Sequence, residues 1–87
     1  MERLGIIAGG GPLPVIAARE ARAQGFRVVA VAIEEAASSD LADEVDVISW
    51  VGAGQLGRLM AALRREQVAD AVMLGKIPLT LLFSRFK

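Results

Sequence analysis

The feature that most limits how this chain can fold is an apolar run at Arg27–Ile33. After Arg27 every residue of the run is apolar, and most are β-branched. The run shows no alternation of apolar and polar residues, so it does not fit a strand with one face in water. It predicts a central strand of a parallel sheet, covered by other elements on both faces.

Three shorter apolar runs, Leu4–Ala8, Val47–Val51 and Ala71–Leu74, predict further strands, and helical patterns lie between them. Strands that alternate with helices form βαβ units, in which right-handed crossovers join parallel strands. We therefore expect an α/β fold, a Rossmann-like parallel sheet of about four strands with flanking helices, incomplete at the C-terminus. The 87 residues are expected to form one domain.

The first helix is predicted from about Leu13 to Gln24, with Pro12 and Pro14 at its start, because proline fits the first turn of a helix. Gly25 has the position of a C-terminal cap, with Phe26 packing back on the last turn. The second helix is predicted to begin near Gln55. Apolar faces are predicted from helical spacing at Ile16, Ala17 and Ala21 in the first helix, and at Leu56, Leu59, Met60 and Leu63 in the second.

Composition excludes several classes of function. The charges of ten basic and ten acidic residues cancel, so the chain has no global positive field that would attract nucleic acid. The chain has no cysteine and no histidine, so thiolate zinc sites and Ser-His or Cys-His catalysis are excluded. No apolar run reaches the roughly 18 residues of a membrane span. The N-terminus lacks the pattern of a signal peptide, and we expect a cytoplasmic location.

Glycine-rich turns follow three of the predicted strands: Gly9–Gly11, Gly52–Gly54 and Gly75–Lys76. In a parallel sheet these turns lie along one edge, where ligands bind. The first turn has only part of the dinucleotide fingerprint, because Pro14 occupies the place of its third glycine. For the first turn taken alone, a purely structural tight turn is favoured over a ligand site at about two to one. Three such turns on one edge favour a phosphate-bearing ligand.

Other polar residues near this edge have two interpretations each. Glu34 and Glu35 are either ribose-binding carboxylates or, as we favour, a solvated pair at the start of a loop. Lys76 would neutralise a phosphate or be an ordinary surface lysine. Gln55 would cap the second helix or contact a ligand. A short helix is predicted around 39–43, and the acidic cluster Asp40, Asp43, Glu44 and Asp46 lacks metal-loop spacing and is expected to be solvated.

Three segments taken together, 6–14, 51–59 and 72–77, resemble the N-terminal domain of the UDP-2,3-diacylglucosamine pyrophosphatases of the LpxI type. The likeness covers nearly the whole chain, and Gly-Gln-Leu-Gly at 54–57 is its most specific part. The resemblance implies a two-domain hydrolase of lipid A biosynthesis, which uses water and Mg²⁺ or Mn²⁺ to release 2,3-diacylglucosamine 1-phosphate and UMP. It implies substrate contacts here at Gly9, Gly10, Gly11, Leu13, Gly54, Gln55 and Lys76.

In that family the substrate lies between two domains, and the catalytic acidic residue and the metal ligands are expected outside this chain. We therefore expect a substrate-binding domain that is inactive alone and that works at the inner face of the inner membrane. The apolar residues 77–87 suggest either a partner chain or a longer protein. The alternatives are a stand-alone nucleotide-binding module and an assembly domain that forms homo-oligomers through this apolar tail.

Overall fold

The structure, a computed structural model, describes residues 2–77. These residues form a four-stranded, all-parallel sheet with the strand order β3-β2-β1-β4. Two helices flank the sheet, and the predicted α/β, Rossmann-like arrangement is confirmed. The elements in chain order are β1 (Arg3–Ala8), α1 (Leu13–Ala23), β2 (Arg27–Ile33), a 3₁₀ helix (Ser39–Glu44), β3 (Val47–Val51), α2 (Leu56–Arg65) and β4 (Ala71–Leu74).

Strand β2 is covered on both faces, as its uninterrupted apolar run predicts. Alternate side chains point to opposite faces of a strand. Val28 and Ala30 belong to the core that includes Ala18 and Ala21 of α1. On the other face, Val31 and Ile33 pack in the α2-side core with Leu59, Ala62 and Leu63.

The C-terminus of α1 is closed as the sequence predicts. Gly25 has a positive φ of 93°, and its N–H donates to the carbonyl of Arg22 at 3.0 Å. The N–H of Phe26 reaches back to the carbonyl of Ala21, also at 3.0 Å. This pair of bonds is a Schellman motif, which ends the helix and turns the chain into β2.

The predicted apolar faces of the helices are partly wrong. Ile16 of α1 is 56% exposed, and Leu56 and Met60 of α2 are 63% and 45% exposed. Helix α1 meets the sheet through small side chains such as Ala18 and Ala21, whereas α2 buries Leu59 and Leu63, so helical spacing alone does not identify which apolar residues face the sheet. The residues that α1 and α2 bury are Pro14, Ala18 and Ala21, and Leu59, Ala62 and Leu63.

The order of the strands reverses beside β1. The chain moves from β1 through β2 to β3 and then returns across the sheet to β4, on the other side of β1. The crevice beyond the carboxyl ends of β1 and β4 is thus the topological switch point, where ligands of open α/β sheets bind. The prediction for the apolar tail lies outside the described residues beyond Ile77.

Candidate functional site

The switch point brings the first and third glycine turns into direct contact. The N–H of Gly10 donates to the carbonyl of Lys76 at 2.8 Å, and the N–H of Lys76 donates to the carbonyl of Gly10 at 2.9 Å. This two-bond antiparallel pairing, which we call the Gly10–Lys76 clasp, joins the loop after β1 to the loop after β4. The neighbouring N–H of Gly9 donates to the carbonyl of Leu74 at 2.8 Å. The N–H groups of Gly9 and Gly10 therefore already have partners within the fold.

The clasp depends on glycine because the two main chains nearly touch. A Cβ atom at Gly75 would lie 2.6 Å from the carbonyl oxygen of Gly10. One at Gly9 would lie 2.7 Å from the carbonyl oxygen of Lys76. Gly75 also has a positive φ of 91°, which side chains rarely tolerate. The fold itself therefore explains the glycines at these two positions.

Gly11 differs from its two neighbours. It has a positive φ of 89°, and no heavy atom lies within 4 Å of a Cβ built there. Among residues 2–77, the N–H groups of Gly11 and Leu13 have no backbone partner outside the regular elements. Pro12 and Pro14 have no N–H to offer a ligand. The start of α1 therefore presents few donors, and Leu13 beside them is 50% exposed.

The second glycine turn is held by two side chains. The N–H of Gly52 donates to Oε1 of Gln55 at 2.6 Å. The N–H of Ala53 donates to a carboxylate oxygen of Glu35 at 3.0 Å. Glu35 is exposed and is also engaged with this turn, so the favoured interpretation of a solvated pair is incomplete for it. Its bond ties the loop after β2 to the loop after β3.

The first turn of α2 keeps its donors. The first i to i−4 hydrogen bond of the helix runs from the N–H of Leu59 to the carbonyl of Gln55. The N–H groups of α2 that precede Leu59 therefore have no helical partner of this kind. Gly57 in this turn has open space, with nothing within 4 Å of a built Cβ. Arg58 extends Nη1 to 3.4 Å from Oε1 of Gln55. The helix dipole and this guanidinium both favour an anion here.

The charges of this edge include one cation with no internal partner in the described region. Lys76 is exposed, and it forms no ion pair with any of residues 2–77. No group of three carboxylates within the described range could hold a metal ion. Nor does that range contain a helix long and apolar enough to cross a membrane.

An open depression of about 380 Å³ lies beside the first glycine turn, between α1 and the 3₁₀ helix. The sequence did not single out this place, because its residues come from two separated segments. Asp40 in particular was interpreted as part of a solvated acidic cluster. The residues that line the depression are Gly11, Pro12, Val15, Ile16, Arg19, Ser38 and Asp40.

The sequence matches a known protein family. A family model described as the LpxI N-terminal domain matches residues 3–87. The chain belongs to this family. The match includes all three segments on which the resemblance rests, 6–14, 51–59 and 72–77, and it confirms that resemblance. A comparison with curated proteins gave no significant match.

Membership in this family gives the three glycine turns a common context, that of the lipid A pathway enzyme LpxI. The predicted contact residues fall into two groups by position. Gly9, Gly10, Gly11 and Lys76 lie at the switch point, with Leu13 at the start of α1. Gly54 and Gln55 lie beyond β3, before α2. Both groups follow the carboxyl ends of parallel strands.

Proposed function

We propose that this chain is the substrate-binding domain of a UDP-2,3-diacylglucosamine pyrophosphatase and holds the UDP part of the substrate at the carboxyl edge of the sheet. The observation that carries the proposal is the match to the LpxI N-terminal domain over residues 3–87. The predicted contacts are Gly9, Gly10, Gly11, Leu13, Gly54, Gln55 and Lys76, and of these Gly9 and Gly10 have N–H groups that are already bonded within the fold.

The donors at this edge suit a diphosphate. The N–H groups of Gly11 and Leu13 follow β1, and those of the first turn of α2 follow β3. Lys76 contributes a mobile positive charge that the described residues do not neutralise. Backbone N–H groups and a cation form charge-assisted hydrogen bonds with phosphate oxygens. The role proposed for the chain is therefore to bind and orient.

We assign the hydrolysis to a further, C-terminal domain. The chain has no histidine to act as a general base, and its described carboxylates form no metal-binding group. The residues present thus do not fit the Mg²⁺ or Mn²⁺ that the resemblance implies. Work at the inner face of the inner membrane is part of the same proposal.

Titration of the ¹⁵N-labelled 87-residue chain with UMP tests the binding role. We expect saturable shifts of the amides of Gly11, Leu13 and Gly54, with weak affinity because the rest of the site is supplied elsewhere. Calorimetry with NAD is the comparison. Tighter binding of NAD than of UMP would instead favour a stand-alone dinucleotide-binding module.

Lys76→Ala sharpens the test, because the clasp uses only the main chain of this residue. We expect UMP binding to weaken about fivefold at moderate salt, as for an exposed ion pair that contributes about 1 kcal/mol. Arg64→Ala is the matched control, since it removes an exposed charge from the last turn of α2. Equal effects of the two variants would argue against a phosphate contact at Lys76.

A further inference from the structure

The depression beside the first glycine turn combines an apolar wall with a polar rim. Its volume of about 380 Å³ lies within the range of about 300–1,000 Å³ found for small-molecule sites. Val15 and Ile16 of α1 contribute the wall. Ile16 is 56% exposed, so a flat apolar group placed against it would remove apolar surface from water.

The rim is held in place by hydrogen bonds. Oγ of Ser38 accepts from the N–H of Asp40 at 3.2 Å, which fixes the start of the 3₁₀ helix. Nε of Arg19 donates to a carboxylate oxygen of Glu44 at 2.9 Å. The charge of Arg19 is therefore largely compensated. The carboxylate of Asp40 forms no ion pair with any residue in the range 2–77.

These charges decide which part of a ligand fits. A phosphate would meet the uncompensated carboxylate of Asp40 and be repelled. An acyl chain would leave that carboxylate and Arg19 desolvated beside methylene groups, at a cost. A ribose offers hydroxyl donors to a carboxylate, and a base offers a flat face to Ile16. The depression is thus suited to a neutral ribonucleoside.

We propose that the ribonucleoside end of the nucleotide ligand binds in this depression, with Asp40 accepting hydrogen bonds from the ribose hydroxyls and Ile16 packing against the base. The assignment rests on the proposed function, and it extends the site beyond the glycine turns. Gly11 lines the depression and also belongs to the first turn. The phosphates therefore leave the depression at Gly11 and continue towards the turns.

Titration with uridine, which has no phosphate, addresses the depression directly. We expect shifts of the amides of Val15, Ser38 and Asp40, and smaller shifts at Gly54. Inorganic phosphate alone should leave these three amides unmoved. Uridine shifts confined to residues outside the depression would overturn the assignment.

Asp40→Asn tests the ribose contact. We expect uridine, which has no phosphate for the carboxylate to repel, to bind about fivefold more weakly, because the neutral amide is a poorer acceptor for hydroxyl groups than a carboxylate. Asp43→Asn is the matched control, since Asp43 lies in the same 3₁₀ helix but does not line the depression. In the parent chain 2′-deoxy-UMP should bind more weakly than UMP, and Asp40→Asn should reduce that preference.

Ile16→Ala tests the base contact in the same titration. We expect weaker binding of uridine and UMP alike, whereas Met60→Ala removes a similarly exposed apolar side chain from α2 and should change neither. If UMP binds but none of these variants weakens it selectively, the nucleoside assignment fails while the proposed function stands. If UMP does not bind the parent chain at all, the proposed function fails first.

Discussion

The glycine-rich edge of the sheet has a closed half and an open half. In the closed half, a Cβ atom at Gly9, Gly10 or Gly75 would lie within 3.0 Å of a main-chain oxygen. In the open half, at Gly11 and Gly57, nothing lies within 4 Å. The same residue type therefore serves two purposes a few ångströms apart. A glycine at such an edge suggests close approach of a ligand only where the fold has not already used the space.

The largest expected effect is that of Gly75→Ala in the closed half. The new Cβ combines a strained φ with a 2.6 Å approach to the carbonyl oxygen of Gly10, and we expect a loss of about 2–4 kcal/mol in the free energy of unfolding. Urea denaturation measures it. Gly25→Ala is the control, because its φ is also positive but nothing lies within 4 Å. Equal losses would show that contact with Gly10 contributes nothing.

Gly11→Ala should be milder, because only the backbone conformation opposes it. We expect a loss of about 1–2 kcal/mol from the positive φ alone. The same denaturation series measures this loss. A loss as large as that of Gly75→Ala would place Gly11 in the closed half and break the comparison.

Glu35→Ala removes the carboxylate that accepts from the N–H of Ala53. Because Glu35 is exposed, we expect a loss of only about 1 kcal/mol in unfolding free energy. Amide hydrogen exchange should quicken at Ala53 more than at Gly10, and Glu35→Gln should restore part of the protection. Unchanged exchange at Ala53 would contradict a role for Glu35 in holding the second turn.

Gly57→Ala should have the smallest effect and the opposite sign. The position is helical and open, so alanine is expected to raise the free energy of unfolding by about 0.5–1 kcal/mol. The midpoint of urea denaturation measures the gain. A destabilised variant would mean that the first turn of α2 has less room than the structure gives it.

The sequence predicts the fold well because each strand carries a local signal. The run at 27–33, the prolines at the start of α1 and the cap at Gly25 each act over a few residues, and all three are confirmed. The buried faces are harder to predict. Spacing alone placed Ile16, Leu56 and Met60 in the core, whereas these side chains are exposed and the helices bury residues such as Ala18, Ala62 and Leu63.

The edge that carries the candidate site was also predictable, since it follows from the parallel order of the strands. The sequence did not predict which backbone N–H groups of this edge remain available to a ligand. That depends on the Gly10–Lys76 clasp and on the bond from Ala53 to Glu35, which join residues far apart in the chain. No pattern in the sequence pairs such positions. The depression at Asp40 escaped notice for the same reason.

The Gly10–Lys76 clasp joins the first glycine turn directly to the main chain that follows β4. Two main-chain hydrogen bonds link the turn to the chain that leaves β4, so a displacement of Lys76 would move Gly10 without a flexible side chain between them. Any coupling between ligand binding at Gly11 and the position of Lys76 is reciprocal, and each event biases the other by the same free energy.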